Sequence, residues 1–269
     1  MASEIRYALE VRELTLRFGG LTAIDDVTFA VREGEIFAIV GPNGAGKTAA
    51  LNCINGIYRP TSGTIEFGSR TIDRLPLHRV AQSGIGRAFQ HVELFPHMTV
   101  LQNLLLGRHT RMCSSIFHGG IYLGRAKTEE IEHRRRAEEI IDFFELYRYR
   151  DRPAGSLPYG VQKLVGVARA LATEPTLLLL DEPSTGLVRE EKENLARFLL
   201  RIKHDLGVTM IWVEHDMQFV ADLADRMLVL NYGVAIAEGV PDEVRKAPEV
   251  IKAYLGKQAQ AVAAPGVPR

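Results

Sequence analysis

Two patterns of apolar positions alternate along the chain. Short, mostly apolar stretches at residues 35–40, 177–180 and 208–213 read as buried strands. Residues 8–18 and 22–31 form two further strand-like stretches, parted by Gly19 and Gly20, and residues 63–68 form a strand bounded by glycines. Helical spacing predicts a helix over 48–56 that ends near Gly56, and a helical region from about Thr99 to Tyr149. In that region Ile131, Ile140, Ile141 and Phe144 fall close to one face of a helix running from Lys127 to Tyr147. Residues 113–124 interrupt it as an inserted loop or short helix. From Tyr159 onward helix and strand alternate, which predicts a parallel sheet with crossover helices. Residues 257–269 are small and polar, with Pro and Gly, and predict a disordered tail. No internal repeat interrupts this order.

Composition narrows the class. The chain has 269 residues, 46% of them hydrophobic, enough for one large α/β domain or two small ones. Lys plus Arg and Asp plus Glu number 33 each, so no net charge draws the chain to nucleic acid or anionic lipid. The basic run at 133–136 reads as the solvated side of a helix. The two cysteines, Cys53 and Cys113, make no disulfide framework, and a reducing cytosol fits. No apolar run approaches the roughly 20 residues that span a bilayer, and the N-terminus has no signal-peptide pattern. A soluble chain is expected, one able to dock on a membrane protein.

The chemistry begins at residues 41–48. Gly41, Pro42, Asn43, Gly44, Ala45, Gly46, Lys47 and Thr48 match the G-x-x-x-x-G-K-[ST] phosphate loop, between a predicted strand and a predicted helix. Backbone amides of such a loop curl around phosphate oxygens, and the following helix presents its positive end to them. Lys47 supplies a point charge for the outer phosphates, and the Thr48 hydroxyl is placed for Mg²⁺. Downstream, the strand at 177–180 runs into Asp181 and Glu182. Asp181 suits a Mg²⁺-bound water, and Glu182 can orient or deprotonate a water that attacks a γ-phosphate. His215 ends another apolar strand, next in order. It is either a surface or packing residue or one that reaches the γ-phosphate. Gln90 has meaning only in company.

That company resembles the ATP-binding-cassette ATPases. The phosphate loop, Gly86–Gln90, Leu157–Gln162, Leu177–Pro183, Ser184–Leu187 and Val213–Met217 stand in that family's order, from about Val11 to Gly256. Residues 17–27, 89–109 and 248–256 resemble one of the two ATPase subunits of bacterial branched-chain amino acid importers, the one with the longer helical insertion. The resemblance implies a P-loop NTPase (RecA-like) α/β core with a parallel sheet, an antiparallel β subdomain and an inserted α-helical subdomain. One ATPase domain over 1–256 is expected, with the helical subdomain at about 91–158. The implied cofactors are ATP and Mg²⁺. Lys47, Glu182 and His215 are then catalytic, and Thr48, Gln90 and Asp181 hold the metal. Residues 41–48 with Ala49, Phe18 and Gln90 bind nucleotide. Phe18 either stacks on adenine or is a core phenylalanine. Two ATPase subunits would sandwich two ATP molecules head to tail. A heterodimer is favoured, and a homodimer stays open. Integral membrane permease subunits are the direct partners, with a periplasmic or extracellular solute-binding protein acting indirectly and no nucleic acid. The place is the cytoplasmic face of the plasma membrane.

The departures from the family are uneven. Ala49 stands where a second hydroxyl residue is common. The signature segment, usually Leu-Ser-Gly-Gly-Gln or Leu-Ser-Tyr-Gly-Gln, reads Leu157-Pro158-Tyr159-Gly160-Val161 here, and Val188 replaces a usual Asn or Asp. Pro158 offers neither hydroxyl nor N–H. The nucleotide site completed by this segment is expected to be slower, unless Gly160 and the helix N-terminus suffice. Other readings are a non-transport cassette ATPase of the DNA-repair or translation type, a plain P-loop kinase, and an importer ATPase for urea, short amides or aromatic acids. The first lacks its usual coiled coil or second cassette, and the second lacks an acceptor lid.

Overall fold

Antiparallel and parallel pairing both appear, as the alternating pattern requires. The structure is a computed structural model that describes residues 6–90, 93–111 and 125–254. Cys113, the 113–124 insertion and the 257–269 tail lie outside the described residues. By the density of its contacts the chain divides into two compact units, Met1–Pro76 with Thr209–Arg269, and Leu77–Val208.

The first unit holds two sheets. Strands β1 (Tyr7–Phe18), β2 (Leu21–Arg32), β4 (Ser62–Phe67) and β5 (Arg70–Thr71) form an antiparallel sheet in the order β2-β1-β4-β5. The β1–β2 turn falls at Gly19, whose φ of 56° suits a residue without a Cβ. The other sheet contains β3 (Ile36–Val40), whose five residues are all buried. β3 lies between β8 (Thr209–Glu214) and β9 (Arg226–Asn231) and is parallel to both. β10 (Val234–Gly239) closes the edge, antiparallel to β9. A strand buried on both faces has no polar side to show, which is why 35–40 and 208–213 read as apolar runs rather than alternations. Helix α1 (Lys47–Ile54) follows the phosphate loop and ends at Asn55, one residue before Gly56. Cys53 packs inside it, 1% exposed, and burial pushes its thiol pKa up to about 12.

In the second unit β6 (Ile85–Ala88) pairs parallel with β7 (Leu177–Asp181). Around them stand α2 (Leu77–Gln82), α3 (Val100–Gly107), α4 (Arg125–Phe143), α5 (Tyr159–Leu171) and α6 (Arg189–Leu206). α3 starts at a capping box. The Thr99 hydroxyl accepts from the Gln102 N–H at 3.2 Å, and the Gln102 side chain accepts from the Thr99 N–H at 2.9 Å.

Of the apolar face expected on the long helix, Ile141 and Phe144 are buried and Ile140 is half-buried, but the place of Ile131 is corrected. Ile131 is 58% exposed, while His133, Ala137, Ile141 and Phe144 are buried. The inward stripe thus runs through His133 and Ala137 in place of Ile131, and the basic run at 133–136 splits: Arg134, Arg135 and Arg136 face solvent, but His133 does not. The cause is a polar contact across the unit. The buried Arg108 guanidinium donates to His133 Nδ1 at 3.0 Å and to the Ala172 carbonyl at 3.1 Å, and pairs with Glu174 at 3.0 Å.

Candidate nucleotide site

Residues 41–49 occupy the carboxyl end of β3. Gly41 has φ 152°, and a Cβ there would lie 2.2 Å from the Leu230 carbonyl oxygen, so the loop's first residue must be glycine. Gly44 and Gly46 take φ 80° and 100°. Gly46 sits at the N-cap of α1 and brings no side chain to its first amides, and no acid stands in the first turn. The helix therefore brings no acid of its own first turn to its positive end. The loop closes on itself through Ala45 N–H to the Pro42 carbonyl at 3.0 Å, and Gly233 N–H donates to the Ala45 carbonyl at 3.0 Å. Lys47 is 5% exposed and donates Nζ to the Gly41 carbonyl at 2.8 Å and the Pro42 carbonyl at 3.3 Å. Asn43, Gly44 and Thr48 are exposed, and Ala49 is half-buried.

His215 arrives at the same edge by register. Val40 pairs with Glu214 across parallel strands, so the loop and the histidine leave adjacent strands at one end. The His215 side chain is half exposed, with Nδ1 at 3.6 Å from the fully buried Glu214 carboxylate. Phe18 is no core residue. It is 46% exposed, and its ring meets that of Tyr58 edge-on, with centroids 5.1 Å apart. The pair offers an aromatic surface for a flat ring. Tyr58 was not visible in the sequence, because its contact spans forty residues of chain.

In the second unit Ala88 pairs with Leu180, so Gln90 and the Asp181–Glu182 pair emerge from neighbouring strand ends. Gln90 Nε2 donates to Glu182 Oε2 at 3.0 Å, and the Thr185 hydroxyl donates to the same oxygen at 3.2 Å. Glu182 has φ 44°, a left-handed backbone uncommon outside glycine. Such strain persists only where the surroundings enforce it. The sequence pattern also missed Arg87, whose guanidinium lies 2.7 Å from Asp181 Oδ2 with both side chains nearly fully buried. Its place in the Gly86–Gln90 run was the one available signal. Lys163 Nζ donates to the Gln90 carbonyl.

The segment at 157–161 starts α5. Pro158 takes the N-cap position at φ −53° and ψ 147° and makes no side-chain cap. Its carbonyl accepts the first helical bond, from Gln162 N–H at 3.0 Å. Gly160 faces Glu191 so closely that a Cβ at 160 would lie 2.3 Å from the carboxylate. The other oxygen of Glu191 accepts from Val188 N–H at 3.1 Å.

A phosphate loop on a parallel sheet and a strand ending in Asp-Glu define a nucleotide-binding ATPase, and comparison assigns the class. Residues 24–185 match the ABC transporter family, and the chain belongs to it; ATP-binding proteins of this family are ATPases coupled to transport. The branch follows from the C-terminus, where residues 236–260 match the family described as branched-chain amino acid ATP-binding cassette transporter. The chain is 39% identical over 249 residues to the high-affinity branched-chain amino acid transport ATP-binding protein LivG of Salmonella typhimurium, covering 93% of this chain and 98% of LivG. It is 38% identical over 252 residues to the corresponding BraF of Pseudomonas aeruginosa, covering 94% and 99%. The ADP conformation of MJ1267, an ATP-binding cassette of an ABC transporter, superposes with a TM-score of 0.81 at 30% identity, covering 93% and 99%. The fold is that of the P-loop ATPase cassettes, as the sequence anticipated.

Proposed function

We propose that this chain is the ATP-hydrolysing subunit of an importer for branched-chain amino acids or a related small polar solute. It would work at the cytoplasmic face of the membrane, paired with a second cassette ATPase and docked on permease subunits. Among the described residues no helix is long and apolar enough to cross a membrane, so attachment would run through those partners.

The observation that carries the catalytic reading is the strained Glu182, with one carboxylate oxygen accepting from both Gln90 and Thr185. Two donors on one oxygen hold the carboxylate in a fixed orientation at the strand end, where it would orient a water or take a proton from it. The amides of residues 43–48, the α1 N-terminus and Lys47 would bind the phosphates, and the Phe18–Tyr58 pair would take the base. His215, fixed by register at the loop's strand end, would contact the terminal phosphate.

Magnesium fits the donor set. The proposed ligands Thr48, Gln90 and Asp181 offer a hydroxyl, an amide oxygen and one carboxylate, all hard oxygens. Among the described residues no group of three or more His, Cys, Asp or Glu side chains forms a cage. One carboxylate with neutral oxygens suits Mg²⁺, which keeps waters and shares substrate phosphates. Its chemistry when bound is neutralisation of phosphate charge.

The test is Glu182→Gln. Expected is retained binding of ATP with turnover lower by about 10²–10⁴, the usual contribution of a general base. Phosphate release is to be measured in the complex with permease and partner ATPase. Unchanged turnover would remove Glu182 from the chemistry.

A further inference from the structure

The C-terminal helix across residues 248–254 has no part in the chemistry above. Its inner face carries Val250, 1% exposed, and Tyr254. Both pack on one buried cluster with Ala38 and Val40 of β3, Val229 of β9, and Val220 of α7 (Met217–Ala221). Val40 is the residue before Gly41, and α7 begins two residues after His215. A single apolar cluster therefore touches the root of the phosphate loop and the helix that follows the histidine.

Within this cluster the Tyr254 hydroxyl is shut off from solvent and completes no hydrogen bond. Burial pushes its pKa up to about 12, and the Gly41 backbone opposes that shift. The hydroxyl thus lies within the cluster that holds Val40, the residue before Gly41, and has no hydrogen-bond partner there. A buried hydroxyl without a partner is unfavourable, and a phenylalanine would fill the same space without that penalty. Packing alone does not account for a tyrosine here.

We propose that Tyr254 is a positioning residue of the phosphate loop, through which the C-terminal helix holds the Val40–Gly41 junction in the conformation that receives phosphate. The inference rests on the nucleotide reading of residues 41–48. Coupling of this kind is reciprocal: whatever the docked helix adds to nucleotide affinity, nucleotide adds to the docking of the helix.

The experiment uses the full chain with Mg²⁺ and a fluorescent ATP analogue. Tyr254→Ala is expected to weaken nucleotide binding about tenfold, within the ordinary range of coupling between sites. Tyr254→Phe should fall between, and Ile251→Ala, exposed on the same helix, should match the unaltered chain. In the assembled transporter KM for ATP should rise while kcat holds, because the residue acts on binding and not on the attacking water. In the unaltered chain nucleotide should slow amide hydrogen exchange across 248–254, and in Tyr254→Phe that protection should shrink. Unaltered affinity in Tyr254→Phe, together with exchange at 248–254 that ignores nucleotide, overturns the proposal even if Tyr254→Ala fails to fold. Lys47→Ala separates the two readings. If the unaltered chain binds nucleotide no better than Lys47→Ala, the phosphate-loop assignment itself fails. If it binds and only the Tyr254 variants are silent, the positioning role alone is lost.

Discussion

Asp181 shows how much a single residue depends on a partner the sequence does not announce. Its carboxylate is buried beside Arg87, whose guanidinium also lies over the Phe89 ring at 4.7 Å. Removing one member of a buried ion pair leaves the other charge poorly compensated and costs about 3–5 kcal/mol. Arg87→Ala is therefore expected to lower the melting temperature by roughly 6–20 °C, at about 2–4 °C per kcal/mol for a chain of this size. Thermal unfolding followed by circular dichroism checks it. Cys53 gives a second residue-level expectation. With its pKa raised to about 12 by burial, only about one thiol in ten thousand is ionised at pH 8, and the thiolate is the reactive form. The peptide containing Cys53 should resist iodoacetamide at pH 8 in the folded chain and label in denaturant, as mass spectrometry of that peptide would report. At this scale the sequence displayed the residues with a local signature, Gly41–Thr48 and Asp181–Glu182. It hid Arg87, Tyr58, Glu191 and Tyr254, because each acts through a contact distant along the chain.

Elements were legible where one period governed them. β3, β7 and β8 stood out because strands buried on both faces must be apolar throughout. The helix at 125–143 is legible, and so is most of its inward face, but not the part around Ile131 and His133. Of the expected stripe of Ile131, Ile140, Ile141 and Phe144, the last two are buried and Ile140 is half-buried, but Ile131 is exposed, and the charged company of His133 disguised its place in the core. The structure buries His133 against Arg108, so a polar side chain occupies a core position that hydrophobicity alone assigns to solvent. Two isoleucines expected on one face thus make opposite predictions for truncation. Ile141→Ala, at a fully buried site, should cost about 2–5 kcal/mol. Ile131→Ala, at a site 58% exposed, should stay within about 0.5 kcal/mol. Parallel urea titrations of the two variants would separate them, and equal losses would return the stripe to its predicted place.

For the whole molecule, the uneven departures from the family set an expectation about the assembled ATPase. The α5 N-terminus lacks a side-chain cap because residue 158 is proline. If this end faces a nucleotide bound to the partner subunit, the missing donor costs about 1.5–3 kcal/mol, or roughly ten- to a hundredfold in the rate of that site. Pro158→Ser should raise turnover of the transporter, and unchanged phosphate release would mean that the remaining amides suffice.

The contact between Gly160 and Glu191 reaches beyond biochemistry into heredity. Because the carboxylate fills the space a methyl group would need, the two positions are not free to drift separately. An alanine allele at 160 should impair growth on a transported amino acid as sole nitrogen source. Spontaneous revertants that keep the alanine should then carry shorter side chains at 191, a pairing that a suppressor screen would expose.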